Sequence, residues 1–325
     1  MKSLSKTPIS KKIAQEIISL HFGNRASILD FHELTEGFYN AAYYLELNDG
    51  SRYVLKVAPP PTARVLRYEK NIMQTEVEVM QLVKSRTEIP VPKVRFCDLT
   101  HNMIDSDYFI MDFLEGLPLN KVRKSLSAED CHKIDVKTGQ FLRQINSIPG
   151  KKFGYFSHTE LQSDNWQETF DRMLKYILLD GKDAGVVLPA KYDSLYPLLG
   201  SAFDALEEIQ TPCLVHWDLW DGNIFIDLDT KNITGLIDFE RALWGDPLME
   251  ANFGAFGVNQ SFLEGYGREM LATQNQKIRH ALYDIYLFLI MVIECYYRKY
   301  ETDHQENWAR GKLIAELEFL KNLLA

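Results

Sequence analysis

The stretch 214–240, LVHWDLWDGNIFIDLDTKNITGLIDFE, decides how the rest of the chain is read. It opens on a polar loop that carries His216, Asp218 and Asn223. Two apolar, β-prone arms follow, at 223–226 and 233–237, with a polar turn over 227–232. That pattern predicts a β-hairpin. The second arm ends on another carboxylate, Asp238. Magnesium prefers hard oxygen ligands and takes few of them from the protein, leaving the rest to phosphate and water. A loop with a carboxylate and an amide, followed by a carboxylate at a strand end, can therefore hold such a cation and orient a hydroxyl beside it.

The spacing H-x-D-x-x-x-x-N is common by itself. The same spacing followed by a hairpin and I-D-F is much rarer and has the form of a phosphotransfer site. With HWDLWDGN at 216–223, IDFERA at 237–242 and GDP at 245–247, the chain resembles the aminoglycoside phosphotransferase and choline kinase-like superfamily. The resemblance covers nearly the whole chain and is most specific over 213–248. It implies an α+β, bilobal, protein-kinase-like fold with a small antiparallel-sheet lobe and a larger helical lobe. It also implies transfer of the ATP γ-phosphate to a hydroxyl of a small molecule. Members of that superfamily act on aminoglycosides, choline, macrolides, sugars and amino alcohols, and the acceptor walls come mainly from variable C-terminal helices.

The N-terminal part is consistent with that expectation residue by residue. An apolar stripe, Ile9, Ile13, Ile17, Ile18 and Leu20, predicts a helix over 8–21 that covers the back of a sheet. Strand-like runs follow at 28–34, 41–47 and 51–58, the last two joined by Asn48-Asp49-Gly50, a strong hairpin signal. Gly37 lies in the tight loop after the first strand, where a phosphate-cradling loop would be. Lys56, flanked by apolar residues on the third strand, has a packed stem and an ammonium aimed at one target. Three prolines at 59–61 end the strand. A helix is then expected over 63–85, with Glu69, Glu76 and Glu78 as candidate partners for Lys56. Glu76 is preferred, since it precedes an apolar run and the P-x-P at 90–92 as the superfamily's glutamate does. Two more strands are expected at 94–97 and 108–114. The resemblance carries Gly37, Asn40 and Lys56 into the nucleotide site, puts Met111 behind the base, and has Asp112 to Leu114 offer backbone groups to its edge. The small lobe is drawn at 1–115 and the helical lobe at 116–325.

From 116 onward helical patterns dominate, at 128–145, 166–179, 192–209, 260–270, 276–300 and 306–324. Their apolar stripes read as packing. The chain has 325 residues, 46% hydrophobic and 25% charged, with a net charge of −9, which disfavours nucleic acid or an anionic membrane surface as partner. Cys97, Cys131, Cys213 and Cys295 are scattered and read as free thiols. The start lacks a signal-peptide core, and the most apolar stretch, 281–297, carries Asp284 and Glu294. A cytoplasmic protein without a membrane span is the expectation. No oligomeric state is legible.

In the roles this reading assigns, Lys56 steadies the α- and β-phosphates, while Asn223 and Asp238 hold Mg2+. Asp218 orients the acceptor hydroxyl and takes its proton late. His216 braces the loop, Asp221 is a turn residue, and Asp246 bonds backbone after the metal loop. ATP is the expected donor, and nothing in these residues separates it from GTP. Trp217 and Trp220 replace the Gly and His common in related kinases and read as local packing. Between 239 and 252 there is no Ser, Thr or Tyr and no A-P-E, which argues against a protein kinase with an activation segment. A non-catalytic nucleotide-binding regulator of the same fold is the alternative, and the presence of Lys56, Asp218, Asn223 and Asp238 together weighs against it.

Overall fold

The β-prone runs of the first third pair into one antiparallel sheet. The computed structural model describes residues 6–35, 39–300 and 302–325, so the expectation for Gly37 lies outside the described residues. Helix α1 (Lys11–Phe22) is capped by Ser10, whose side chain accepts from the Ile13 N–H. It precedes β1 (Ile28–Leu34), β2 (Ala41–Leu47) and β3 (Arg52–Val57). Helix α2 (Ile72–Arg86), β4 (Val94–Asp98) and β5 (Tyr108–Asp112) complete the unit. The strand order is β1-β2-β3-β5-β4.

Alternation along the strands divides the apolar residues between two faces. Tyr43, Leu45, Leu55, Tyr108 and Ile110 pack with Ala14, Ile17 and Ile18 of α1 in one core. Val54, Phe109 and Met111 face the other way and join Met73, Val77 and Met80 of α2 in the larger core. Lys56, two residues beyond Val54 in β3, shares that second face. Its ammonium is thus directed at α2 and the C-terminal residues.

The helix expected over 63–85 is broken. Residues Arg67–Glu69 form a short 3-10 turn, Asn71 takes a left-handed conformation (φ 59°), and α2 starts after it. The Glu69 carboxylate folds back to accept from the Leu66 N–H at 2.8 Å, which competes with helix propagation, and Asn tolerates the left-handed region. Glu69 therefore does not share a helix face with Glu76. The helix expected over 192–209 likewise ends early, at Gly200, and gives way to a 3-10 turn.

Past β5 the chain crosses over through β6 (Leu117–Pro118) into α3 (Leu119–Val122) and α4 (Ala128–Asn146). Gly116, at the crossover, has φ +105°, and a Cβ there would stand 2.3 Å from the Ile226 carbonyl oxygen, so both backbone and space require glycine. Then come β7 (Gly154–Tyr155), α5 (Trp166–Asp183), α6 (Tyr192–Gly200) and β8 (Cys213–Val215). The hairpin read from the sequence is β9 (Ile224–Ile226) and β10 (Ile233–Leu236), extended by β6 into the order β10-β9-β6. Strand β11 (Leu243–Gly245) lies between β7 and β8. Helices α7 (Gln260–Tyr266), α8 (Gln274–Arg298) and α9 (His304–Leu324) close the chain. A capping box of Thr273 and Gln276 starts α8. Among the described residues no helix is long and apolar enough to cross a membrane. All four cysteines are free.

Candidate active site

Lys56 is the centre of an acidic nest. Its Nζ donates to Glu76 Oε2 at 2.6 Å, to Asp238 Oδ1 at 2.7 Å and to Glu240 Oε2 at 3.4 Å. These partners lie 20, 182 and 184 residues away in the chain. Of the three glutamates weighed for Lys56, Glu76 is the one in contact. Glu69 instead pairs with Arg298 at 2.6 Å. Asn40 donates from Nδ2 to Glu240 Oε2 at 2.5 Å, and its Oδ1 is buried without a partner. Burial, and then the neighbouring carboxylates against the pull of Lys56, push the Glu76 carboxyl up to about 8. Asp238 is held below its ordinary value by the ammonium despite burial. Asp238 has φ 67°, a left-handed conformation that Asp tolerates better than most residues.

The loop 216–223 is braced from behind. His216 is fully buried, and burial pushes its imidazole down to about 4, so the ring is neutral. Its Nδ1 accepts from the Asp218 N–H at 3.2 Å, which leaves Nε2 to donate to the Ile237 carbonyl at 3.2 Å. One ring thereby ties the Asp218 loop to the strand end that carries Asp238. Asn223 donates from Nδ2 to the Asp218 carbonyl at 2.8 Å, which fixes the amide plane and turns Oδ1 the other way. Burial raises the Asp218 carboxyl to about 7 against the opposing pull of Arg241. Trp217 is buried and stacked on Tyr286 with centroids 5.6 Å apart, which is packing as expected. Trp220 is exposed and its ring lies against Gly222.

The segment at the end of β5 has a specific hydrogen-bond pattern. The Asp112 N–H bonds the Lys93 carbonyl at 3.0 Å and the Phe113 N–H bonds the Arg52 carbonyl at 3.1 Å. Among the described residues the Leu114 N–H has no partner. Its side chain lies over Gly235 of β10, where a Cβ would stand 2.4 Å from Leu114 Cδ1. The Asp112 carboxylate is taken by Arg95 at 2.5 and 3.0 Å, and Met111 is buried.

Several contributing residues were not singled out from the sequence. Glu250 is buried and accepts from the His216 N–H (2.8 Å), the Trp217 N–H (2.8 Å) and Asn146 Nδ2 (2.9 Å). It holds Trp217 in a left-handed conformation (φ 65°). Glu240 and Arg241 directly follow I-D-F, and their proximity to Asp238 was the available signal. Asp221 is more than a turn residue: Arg123 bonds it through Nε and Nη2 and also bonds Asp135. Asp246 accepts from the Leu248 N–H as expected, and additionally from Arg279 Nε and the Tyr283 hydroxyl, each at 2.9 Å.

The donor set suits a hard divalent cation. Oxygens of Glu76, Asp238 and Glu240 lie within 4.8 Å of one another, three carboxylates around one ammonium. Asp238 is partly open to solvent, and the Asn223 amide has its nitrogen already engaged. Oxygen-only donors with excess negative charge are what Mg2+ prefers.

The sequence model of the phosphotransferase enzyme family (APH) matches residues 30–276. The chain belongs to that family. It is 25% identical over 259 residues to the probable ketoamine kinase VP1481 of Vibrio parahaemolyticus, covering 75% of this chain and 80% of that protein. It is 24% identical over 238 residues to the probable acyl-CoA dehydrogenase IBR3 of Arabidopsis thaliana, 71% of this chain. The chain spans only about a quarter of the length of the first curated relatives it matches, 28% in the case of IBR3. Among solved structures, the streptomycin–ATP ternary complex of APH(2")-IIa has a TM-score of 0.62 at 16% identity, covering 97% of this chain and 99% of that one. The GDP complex of aminoglycoside 2'-phosphotransferase-IIIa has a TM-score of 0.63 at 16% identity, covering 96% and 99%. These likenesses define the fold.

Proposed function

We propose that this chain transfers the γ-phosphate of ATP to a hydroxyl of a small molecule. The observation that carries the reading is the convergence of Lys56, Glu76 and Asp238, from three distant segments, next to a braced loop bearing Asp218 and Asn223. In this reading residues 1–115 bind the nucleotide and 116–325 hold the acceptor. The base lies against Met111, with the Leu114 N–H as donor to its edge, and Asn40 belongs to the phosphate side of the nucleotide site. Glu76 and Glu240 direct Lys56 at the α- and β-phosphates. Asp238 and Asn223 would hold Mg2+, which supplies charge neutralisation across the phosphates when bound.

Asp218 aligns the acceptor hydroxyl. The bond from that oxygen to the γ-phosphorus forms as the bond from phosphorus to the β–γ bridging oxygen breaks, and ADP leaves with the electron pair. The hydroxyl proton passes late to the Asp218 carboxylate. A carboxyl raised to about 7 is a better proton acceptor at neutral pH than an ordinary aspartate. Solved structures of this fold hold ATP and GDP, so GTP is an alternative donor within the same reading.

The test is acceptor-dependent ADP release across hydroxylated metabolites and antibiotics, with Asp218→Ala as the blank. Loss of release in that variant, at unchanged circular dichroism, is expected. Full activity in Asp218→Ala rejects the assigned role.

A further inference from the structure

One short segment of chain, the crossover and the residues just after it, holds Asn223 from two sides. Strand β6 pairs with β9, Leu117 opposite Ile226 and Pro118 opposite Phe225. That pairing fixes the strand into which Asn223 leads. Arg123, directly after α3, reaches the other side of Asn223. Its Nε and Nη2 donate to the two carboxylate oxygens of Asp221, the second bond at 2.8 Å. Its Nη1 and Nη2 donate to the two oxygens of Asp135, on α4, at 3.1 and 2.7 Å. A guanidinium has five N–H groups in a fixed plane, so one can grip two carboxylates with two bonds each. An ammonium cannot reproduce that fork.

The grip falls where the catalytic loop is weakest. Residues Asp221–Asn223 form a 3-10 turn with Gly222 at its centre, and glycine brings the most backbone freedom of any residue. The bonds that hold the end of this turn are made by Asn223 itself. Its N–H donates to the Trp220 carbonyl at 2.9 Å, its carbonyl accepts from the Ile237 N–H at 3.1 Å, and its Nδ2 donates to the Asp218 carbonyl at 2.8 Å. The start of the turn is gripped through the Asp221 side chain. Without Arg123, the Asp221 and Asp135 carboxylates that share it would face one another unscreened, and like charges at such range repel. The turn would then shift away from α4, carrying the Asn223 amide with it.

We propose that Arg123 is a positioning residue for the metal side of the transfer: through Asp221 it fixes the turn that presents the Asn223 amide oxygen to Mg2+. The inference rests on the phosphotransfer reading and adds to it the group that sets one of the metal ligands. Partners that orient a metal ligand from outside change metal affinity tenfold or more when they are removed. A guanidinium that merely joined α3 to α4 would stabilise the fold and leave magnesium alone.

The full chain is titrated with AMP-PNP by calorimetry, once in excess MgCl2 and once in EDTA. The ratio of the two Kd values is the gain in nucleotide affinity that magnesium brings. Arg123→Met should cut that gain about tenfold, with the Kd in EDTA unchanged, because Lys56 and the base edge are untouched. Asp221→Asn, at a half-buried side chain, should cut it in the same direction and serves if Arg123→Met does not fold. Arg123→Lys should recover part of the gain. Asp135→Asn is the matched control: it removes a contact of the same guanidinium and should lower the Tm, yet it leaves the grip on Asp221 and the magnesium gain intact. A wild-type gain in both Arg123→Met and Asp221→Asn, an equal weakening in EDTA and in MgCl2, or an equal loss in Asp135→Asn overturns the proposal while the phosphotransfer reading stands. A wild type whose AMP-PNP affinity is indifferent to magnesium removes the metal role and this proposal together. A wild type that does not bind AMP-PNP at all refutes the phosphotransfer reading itself.

Discussion

Lys56→Met removes the one ammonium among three carboxylates, and its effect can be worked out from the geometry. Two unit charges at the 4.8 Å limit of that cluster repel by about 3.5 kcal/mol at an effective dielectric of about 20. Three carboxylates in mutual range cannot all stay ionised without a cation. The cost at pH 8 should be about 3–5 kcal/mol, the range for stripping one partner from a buried ion pair. The sign of the pH dependence turns on Asp238. In the wild type Lys56 holds its folded pKa below the ordinary value, so its contribution is present above that value and lost as pH falls. Without Lys56, burial and repulsion raise the folded pKa above the unfolded one. The contribution is then full below the unfolded pKa and lost as pH rises through the folded one. The gap between wild type and variant should therefore widen from pH 5 to pH 8, from about 1–2 kcal/mol to the full cost. Mg2+ should narrow it at pH 8 by taking the place of the ammonium. Urea denaturation followed by circular dichroism at both pH values, with and without Mg2+, reads all of this. A gap that is equal at pH 5 and pH 8 and indifferent to Mg2+ would refute the nest as described.

Glu250→Gln sets an amide NH2 against the Trp217 N–H and leaves that donor unpaired, which should cost about 1–3 kcal/mol in urea denaturation; initial rates should show kcat falling while the KM for ATP holds. Gly116→Ala meets both a left-handed backbone and the Ile226 carbonyl and should lose about 2–4 kcal/mol. Gly185→Ala, also at positive φ (+69°) but facing open space, should lose only about 1 kcal/mol; equal losses in the two urea curves would contradict the close approach at Gly116.

Much of the architecture was legible because the signals are local. Asn48-Asp49-Gly50 between two β-prone runs gave β2 and β3 nearly to the residue, and the turn at 227–232 did the same for β9 and β10. The helix signal over 63–85 failed at Lys70 and Asn71, where Glu69 turned back on Leu66 and reached across to Arg298. Helical periodicity registers which residues are apolar, and a side chain that caps its own turn does not alter that pattern.

The site divides along the same line. His216, Asp218, Asn223 and Asp238 sit within 23 residues, and their spacing alone announced a loop and a strand end able to hold a cation and a hydroxyl. That Lys56 would meet Glu240 as well as Glu76, that Glu250 would hold two backbone N–H groups of the loop, and that Arg123 would join Asp221 to Asp135 were decided only by tertiary packing. A chain encodes periodicity and turn chemistry over a few residues. Which cation meets which carboxylate across some 180 residues depends on how separate elements pack, because charge pairing acts through space and carries no periodicity along the chain.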